Sequence, residues 1–371
     1  MIILHLMKDY KPTIGGSVVR NSNMIENYLK QSPNDKVMIA NLDGGKFDEK
    51  SNENGIEVYR SKTLLDLIKT SKMLIKNGKV DIIQAHNFRF LFAAFLTRLL
   101  SRRNPRIYVE IHAMYNMSWY KELLSRWLLK RVDGIVVLAE CAKKYLMEEY
   151  KLNSNKITVI RNGIDLYLEK AEIEDKELLD GINRLKESYS IVLYTGSFIE
   201  WQGVNFIADE FDYLLSNIPG IALVMIGNGP DYDYVEKQLA KSKYKDRVLL
   251  HHGISKQEIM ATYGLADVLL IPRLKNLSTN TAVPLKVIEA MEYGKCIVSA
   301  NDNGLKEVLN SSNSYLFESG DIDSLVNELK SAIVDNEKSI IIAKKAETDA
   351  KNQFVTWEDS AAKMIQLYRR G

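Results

Sequence analysis

The chain has 371 residues, which is longer than one hydrophobic core usually supports, so we expect two domains. Hydrophobic residues make up 46% and charged residues 26% of the chain, which excludes a disordered or fibrous protein. The two cysteines, Cys141 and Cys296, are too few for a disulfide framework and indicate a reducing compartment. The start lacks a signal-peptide pattern and no apolar run is long enough to span a bilayer, so the expected location is the cytoplasm.

Strand-like and helix-like segments alternate through the first half of the chain. Residues 2–6 form an apolar run typical of a buried strand, and residues 18–30 have helical spacing. The other segments of this half are four predicted strands and two predicted helices, at residues 37–41, 82–84, 107–111 and 134–138, and at 91–100 and 142–150. Alternation of this kind predicts a parallel sheet with helices on both faces.

The second half repeats the same architecture after a polar segment. Residues 169–186 contain several acidic residues and no strand pattern, and we interpret them as a linker. Six strands are predicted beyond it, at residues 191–195, 222–226, 248–251, 268–271, 296–299 and 314–317. The prediction is two doubly wound, Rossmann-like α/β domains, residues 1–168 and 187–355, with a helix over 356–371 packing back on the first. Ligands bind beyond the carboxyl ends of such strands, so the site is expected in a cleft between the domains.

The net charge of +2 is unevenly distributed. Residues 61–160 contain 18 Lys and Arg but 8 Asp and Glu, a local net charge of +10. Two interpretations stay open: solvated helix faces, or an anionic partner such as a phosphate-bearing substrate or, weakly, an anionic membrane surface on the inner face of the cell membrane. No nucleic-acid partner is expected. Candidate membrane contacts are basic residues with apolar neighbours, namely Arg98, Arg102, Arg103, Arg106, Lys121, Arg126, Lys130 and Arg131, with Leu99, Leu124 and Trp127.

Two glycine loops follow predicted strands. Gly15 and Gly16 open the first helix, where backbone N–H groups can approach a phosphate. Gly227 begins a Gly-Asn-Gly-Pro loop in the second half. Either loop could be an ordinary turn. Neither matches a dinucleotide fingerprint or a Walker A loop, which disfavours nicotinamide and ATPase chemistry.

Two of the five histidines, His86 and His112, lie just past predicted strands. An imidazole at such a position can donate a hydrogen bond to a sugar hydroxyl, and the alternative is a structural histidine, which we favour slightly for His86. No His or Cys cluster has metal-ligand spacing, and no nucleophile elbow is visible. The sequence therefore predicts no metal site.

The richest polar segment follows the fourth predicted strand of the second half. Arg273, Lys275 and Lys286 surround a helix expected to begin at Pro284, an arrangement suited to a diphosphate. Glu289, one turn further, can accept hydrogen bonds from two vicinal hydroxyls, as on a ribose. An exposed helix of mixed charge would explain Glu289 alone, but it explains the whole loop poorly.

Taken in order, these segments resemble glycosyltransferase family 4. The resemblance spans nearly the whole chain, through the Gly-Gly loop, residues 81–86, residues 159–165, the Gly-Asn-Gly-Pro loop and the Glu-Ala-Met-Glu-Tyr-Gly-Lys run at 289–295. The phrase Gly-Ser-Phe-x-x-Trp-Gln-Gly is similar to a subgroup linked to exopolysaccharide assembly. The resemblance implies a GT-B fold and a retaining hexosyltransferase that needs no metal or other cofactor. It would move a sugar from a nucleotide diphosphate, UDP above all, to a glycan, lipid-linked or other hydroxyl acceptor in cell-surface polysaccharide or glycoconjugate biosynthesis.

The resemblance also assigns roles to individual positions. The catalytic residues it implies are His112, Arg273 and Lys286. The donor-binding residues it implies are Gly16, Gly196, Gly227, Gly253, Thr281, Leu285 and Glu289. The acceptor-side residues it implies are His86, Asn87 and Tyr115.

Three positions depart from the family pattern. Thr281 replaces the first of two paired glutamates, and Ser197 and Gln202 replace a basic pair that holds the donor diphosphate. We infer that Arg273 and Lys286 supply the missing charge. These losses leave open a catalytically weak scaffold subunit that binds donor for a glycosyltransferase complex. A sugar-nucleotide epimerase is disfavoured, because its acid/base carboxylate pattern is not visible.

One loop is unusually rich in large side chains. It follows His112 and contains Met114, Tyr115, Met117, Trp119 and Tyr120. Aromatic side chains at this position would suit stacking on a sugar ring, and core packing is the equally weighted alternative.

Overall fold

The computed structural model describes residues 1–8, 10–13, 15–164 and 172–370. Asp165, which ends the Val-Ile-Arg-Asn-Gly-Ile-Asp motif, and the first residues of the predicted linker lie outside the described residues. The chain divides into two compact units. Unit 1 comprises Met1–Gly163 and Val355–Gly371, and unit 2 comprises Ile164–Phe354.

Unit 1 contains an eight-stranded sheet in the order β3-β4-β2-β1-β5-β6-β7-β8, parallel except for the antiparallel pair β3–β4. Its strands are β1 (Ile2–Met7), β2 (Lys36–Leu42), β3 (Lys50–Glu53), β4 (Ile56–Ser61), β5 (Ile82–His86), β6 (Arg106–Ile111), β7 (Gly134–Val137) and β8 (Ile157–Val159). Its first helices are α1 (Gly16–Gln31), α2 (Leu64–Gly78), α3 (Asn87–Ser101), α4 (Trp119–Leu129) and α5 (Glu140–Glu149). Five of the six residues of central β1 are apolar and the strand is almost entirely buried, because helices cover both sides of the sheet. A two-residue strand, β9 (Gly163–Ile164), ends this part of the chain.

Unit 2 contains a six-stranded parallel sheet in the order β12-β11-β10-β13-β14-β15. Its strands are β10 (Ser190–Thr195), β11 (Ile221–Ile226), β12 (Val248–His251), β13 (Val268–Ile271), β14 (Cys296–Ala300) and β15 (Tyr315–Phe317). Its helices are α6 (Lys176–Lys186), α7 (Val204–Asp209), α8 (Phe211–Asn217), α9 (Tyr232–Leu239), α10 (Lys256–Leu265), α11 (Leu277–Asn280), α12 (Leu285–Glu292), α13 (Ile322–Val334) and α14 (Asn336–Gln353). Two Rossmann-like parallel-sheet units confirm the predicted fold class.

The strand order of unit 2 reverses beside its first strand. From β10 the chain passes to β11 and β12 on one side, and it then returns to place β13 on the other side of β10. Loops leaving the carboxyl ends of β10 and β13 therefore diverge. Such a switch point forms the crevice in which open α/β sheets bind ligands.

The predicted linker is wrong for its second part, because residues 176–186 form helix α6 of unit 2. The Asp175 carboxylate caps this helix by accepting a hydrogen bond from the Leu178 amide at 3.1 Å. Leu178, Ile182 and Leu185 are buried on one face of the helix. Their spacing of four and three residues is helical, but five of the eleven residues of the helix are charged, which concealed the pattern in the sequence. Unit 2 thus begins before the predicted residue 187.

The chain returns to unit 1 at its end, through β16 (Val355–Thr356) and α15 (Trp357–Arg370). Helix α15 packs against α1, and the buried Tyr368 hydroxyl donates to the Gln84 side-chain oxygen at 2.9 Å. The Ser360 hydroxyl donates to the Arg161 carbonyl at 3.0 Å. These contacts make α15 part of the unit 1 core. None of the described helices has the length and apolar character needed to cross a bilayer.

Candidate functional site

A lysine lies at the switch point of unit 2. Lys286, the second residue of α12, donates through Nζ to the Gln202 side-chain oxygen at 2.9 Å and to the Thr195 carbonyl at 3.3 Å. The same Nζ lies 4.4 Å from the centre of the Tyr194 ring. Since Thr195 ends β10, the ammonium is held at the carboxyl end of that strand. Gln202, which replaces a basic residue of the family pattern, therefore orients Lys286.

Two glycines make room for this arrangement. Gly196 has φ of +143°, and a Cβ built on it would lie 3.1 Å from Lys286 Nζ. A Cβ on Gly227 would lie 1.8 Å from the Gly196 carbonyl oxygen, so the loops after β10 and β11 pack backbone against backbone. A larger residue at either position would displace the loop that borders the ammonium.

The electrostatic setting of Lys286 is unusual for a lysine. Burial, and then the nearby positive charge of Arg273, lower the pKa of Lys286 to about 7. An anion placed against the ammonium would favour its charged form and raise that pKa again. Lys286 is therefore poised to gain a proton when a phosphate binds.

Arg273 follows β13 and is buried. Its Nη1 donates to the Ala282 carbonyl at 3.1 Å and lies 3.6 Å from Oδ2 of the fully buried Asp302. Burial raises the pKa of Asp302, and the Arg273 charge opposes that rise. Asp302, which the sequence analysis did not single out, follows β14 at the same edge of the sheet. The Arg273 charge is thus partly balanced by Asp302 inside the protein. Lys286 is therefore the better-placed cation for an anionic ligand.

The other predicted donor residues of this segment lie at the end of α11 and in α12. Thr281 caps the end of α11 and is buried, and its hydroxyl donates to the Leu277 carbonyl of that helix at 2.7 Å. Leu285 begins α12. Glu289 lies one turn further, with Oε1 3.6 Å from Lys256 Nζ.

A flat stack lies beside the Gly227 loop. The Asn228 side-chain oxygen is 3.0 Å from His252 Nδ1, and the His252 ring stacks on Tyr232 with centres 4.1 Å apart. A Cβ on Gly253 would lie 2.6 Å from the Asn228 amide nitrogen. Gly253 therefore allows the loops after β11 and β12 to pack closely together. His252 and Tyr232 were not predicted from the sequence as site residues.

Unit 1 contains a buried polar network at the ends of its central strands. Glu110 of β6 accepts at Oε1 from Arg20 Nε at 2.8 Å and from His112 Nε2 at 2.9 Å. His86 lies beside them, with Nδ1 3.5 Å from His112 Nε2 and Nε2 3.0 Å from Nδ1 of His5. We call Arg20, His5, His86, Glu110 and His112 the histidine network.

The charges of this network are fixed by its surroundings. Burial alone would raise the pKa of Glu110, but Arg20 and His112 hold it well below its usual range. Burial lowers the pKa of His5 to about 4 and that of His86 well below its usual value. Both histidines are therefore neutral at physiological pH.

Glu110 also decides what His112 can offer a ligand. Because Nε2 of His112 points at the carboxylate, that nitrogen carries a proton, and only Nδ1 is left for another partner. A neutral His112 would accept a hydrogen bond at Nδ1, and the predicted donation to a sugar hydroxyl requires the imidazolium. Glu110 was missed in the sequence, although a lone carboxylate at the end of an apolar strand was a usable signal.

The remaining predicted residues of unit 1 have distinct placements. The Asn87 side-chain oxygen accepts from the His112 backbone amide at 3.1 Å, so Asn87 holds the His112 loop. Tyr115 is exposed, and Gly16 is the first residue of α1. Thus His86, Asn87 and His112 lie together, whereas Tyr115 has no contact with them that the structure describes.

The histidine network also has the composition of a metal site. One ligand atom each from His86, Glu110 and His112 lies within 4.8 Å of the others, which differs from the sequence expectation that no metal-ligand cluster forms. Two imidazoles and a carboxylate suit a divalent transition metal. However, Arg20 binds the same oxygen of Glu110, so an ion there would face a guanidinium charge at close range.

Two family models match most of the chain. The model described as glycosyl transferases group 1 matches residues 175–349, and the model described as glycosyltransferase family 4 matches residues 27–168. Together with two Rossmann-like units, they define a GT-B glycosyltransferase. The chain belongs to glycosyltransferase family 4, as the sequence motifs predicted.

Characterised relatives agree with this assignment. The chain is 25% identical to the UDP-Gal:alpha-D-GlcNAc-diphosphoundecaprenol alpha-1,3-galactosyltransferase of Escherichia coli, over 79% of this chain and 75% of that one. It is 24% identical to the lipopolysaccharide 1,2-N-acetylglucosaminetransferase of Salmonella typhimurium, over 76% and 70%.

Solved structures share the fold. Sucrose-phosphate synthase of Thermosynechococcus elongatus superposes with a TM-score of 0.81 at 17% identity, over 100% of this chain and 99% of that one. HepE of Anabaena in complex with UDP superposes with a TM-score of 0.76 at 17% identity, over 100% of both chains. The predicted GT-B fold is confirmed.

Proposed function

We propose that this enzyme is a retaining hexosyltransferase that takes a sugar from a UDP-sugar and passes it to a glycan or lipid-linked hydroxyl acceptor. The observation that carries the proposal is Lys286, held at the switch point of unit 2 by Gln202 and the end of β10. An Escherichia coli relative acts with UDP-Gal on a diphosphoundecaprenol-linked sugar, which supports this donor and this acceptor class. The setting would be cell-surface polysaccharide or glycoconjugate synthesis in the cytoplasm.

In this proposal unit 2 holds the donor. As the glycosidic bond breaks, negative charge grows on the leaving diphosphate, and a fixed cation is worth more in that state than in the ground state. Lys286 supplies that cation, Arg273 supports it, and Glu289 accepts from the ribose hydroxyls. Loss of one such electrostatic contact typically costs about 3 kcal/mol of transition-state stabilisation.

Unit 1 supplies the acceptor side, with His112 as the residue that meets the transferred sugar. Retention of configuration needs no protein nucleophile: the acceptor hydroxyl attacks from the leaving group's face, and a diphosphate oxygen takes its proton. The protein then acts by positioning the two substrates and stabilising charge. We propose no metal or other cofactor.

The donor panel is the direct experiment. The purified protein is incubated with UDP- and GDP-sugars, binding is read by thermal shift, and hydrolysis or transfer is read by nucleotide release. The enzyme proposal expects stabilisation by UDP-sugars and slow UDP release without acceptor. Binding without any turnover, with or without acceptor, would instead support the scaffold alternative that Thr281, Ser197 and Gln202 raise. Stabilisation by GDP-sugars alone would contradict the proposal that the donor nucleotide is UDP.

A further inference from the structure

The outward face of α4 is apolar. Trp119, Leu123 and Trp127, spaced four residues apart, are 77%, 62% and 50% exposed. Tyr120 and Leu124 lie beside them and are also exposed. Four-residue spacing places side chains in one row along a helix, so five large apolar groups form a continuous outward surface. We call these five residues the α4 face.

The α4 face is not needed to attach the helix to unit 1. The buried residues of α4 are Ser125, Leu128 and Leu129, which lie on the opposite side of the helix. A surface helix of a globular domain normally turns polar residues outward, and a contiguous exposed apolar surface marks an interaction site. The α4 face is therefore exposed and available to a partner.

Cations flank the α4 face. Lys121, Lys130 and Arg131 are exposed, and the Arg131 guanidinium lies 3.9 Å from the centre of the Trp127 ring. Arg126 is occupied differently, since it pairs with Glu122 at 2.7 Å and stacks on Tyr150. Tryptophan and leucine on one face with lysine and arginine at its margins is the composition of helices that lie in the plane of a membrane surface.

We propose that α4 docks this enzyme on an anionic lipid bilayer, with Trp119, Leu123 and Trp127 entering the boundary between headgroups and acyl chains. Lys121, Lys130 and Arg131 then meet the lipid phosphates. Charge complementarity favours an anionic bilayer over a second copy of the chain as the partner of the α4 face. Two α4 faces in contact would bring like charges together. The surrounding residues 61–160, with their net charge of +10, add attraction at longer range.

Flotation with vesicles tests the proposal. The full-length protein is mixed with phosphatidylcholine vesicles, with or without phosphatidylglycerol, at low and at high salt. We expect flotation with the anionic vesicles at low salt, and at least about tenfold weaker binding for Trp119→Ser/Trp127→Ser. Lys130→Gln/Arg131→Gln should lose the preference for anionic lipid. Ile340→Ser/Ile341→Ser is the matched control, because it removes two exposed apolar side chains from α14 of unit 2 and should float like the parent.

Two results would overturn membrane docking. The first is a parent protein that stays unbound with anionic vesicles at low salt. The second is a dimer in light scattering that Trp119→Ser/Trp127→Ser dissociates while vesicle binding stays the same, which would assign the face to self-association. The test is independent of the proposed reaction, since flotation needs no substrate, and the Trp119→Ser/Trp127→Ser variant should keep the UDP-induced thermal shift of the parent if unit 2 binds the donor.

Discussion

Single side chains carry two separable tasks in the proposed enzyme. Lys286 is a cation with a lowered pKa at the end of β10, suited to a leaving group that gains negative charge. His112 belongs to a different unit and is oriented by Glu110. Since each residue has its own partners, substitutions at the two positions should have different kinetic effects.

Replacement of His112 by alanine should lower turnover by about a hundredfold and leave UDP affinity nearly unchanged, because His112 is assigned to the transferred sugar and not to the nucleotide. Initial rates and calorimetric titration with UDP give the two quantities. Glu110→Gln serves as the positioning variant: it should lower turnover and leave UDP affinity nearly unchanged, because it replaces the carboxylate that accepts from His112 Nε2. An equal loss of turnover and UDP affinity in His112→Ala would contradict the assignment.

Glu289→Ala should weaken UDP binding by about tenfold or more, since each hydrogen bond from a ribose hydroxyl to a carboxylate contributes about 1.5–3 kcal/mol. Lys256→Ala is the control, because it removes the cation 3.6 Å from Glu289 without removing the acceptor. Calorimetry with UDP and with uracil separates ribose contacts from base contacts. Parental UDP affinity in Glu289→Ala would show that Glu289 does not bind the ribose.

Arg273→Ala and Lys286→Ala should each slow the reaction by about a hundredfold. The double variant should lose less than the product of the two single losses, because both residues act on one diphosphate.

The two single variants should differ in their free energy of unfolding. Arg273→Ala leaves Asp302 buried without its cation, which costs about 3–5 kcal/mol, and Arg273→Ala/Asp302→Asn should recover most of that loss. Denaturant unfolding of the parent and of these variants measures both the loss of stability and its recovery. Single variants with parental rates would remove both residues from the catalytic proposal.

At the scale of elements, α6 decides where unit 2 begins. Leu178→Ala and Ile182→Ala should each destabilise unit 2 by about 2–5 kcal/mol, because both side chains are buried against the sheet. Lys176→Ala, at the exposed start of the same helix, is the control. Thermal unfolding with a probe for unit 2 is the measurement. Unchanged stability in both core variants would restore the interpretation of these residues as a linker.

Much of the fold was predictable from the local pattern of apolar residues, but helix α6 was not. Fully buried strands such as β11 and β13 are continuous apolar runs, which are visible in the sequence without knowledge of their neighbours. The buried face of α6 has its apolar residues scattered among charges, so its average composition resembled a linker.

The site was less predictable than the fold. A glycine loop and a strand end singled out Gly227 and Lys286 in the sequence, and the family resemblance added Gly196. Partners distant along the chain, such as Asp302 for Arg273 and Glu110 for His112, depend on which strand ends meet at a sheet edge. The spacing of residues along the sequence does not show which strand ends are neighbours in the sheet.

At the scale of the whole molecule, each unit carries one part of the proposed reaction. Unit 2 holds the Lys286 site, and unit 1 holds the histidine network and the α4 face. Helix α15 ends the chain in unit 1, where Tyr368 donates to Gln84 near the network. Donor binding, acceptor chemistry and membrane contact can therefore be removed one at a time by substitution.

The central claim is that Lys286 meets the donor diphosphate, and the pH dependence of UDP affinity tests it most directly. Burial lowers the pKa of Lys286 to about 7 in the free protein, and a bound phosphate raises it. The contribution of Lys286 to binding is then full below that pH and is lost as pH rises toward the pKa of the complex.

Calorimetric titration with UDP across this range should show parental affinity falling by about tenfold per pH unit above about pH 7. Lys286→Met should bind UDP more weakly and with no such slope, while its thermal stability stays near the parental value. An affinity that is flat with pH in the parent, or a Lys286→Met variant that binds UDP as tightly as the parent, would contradict the account.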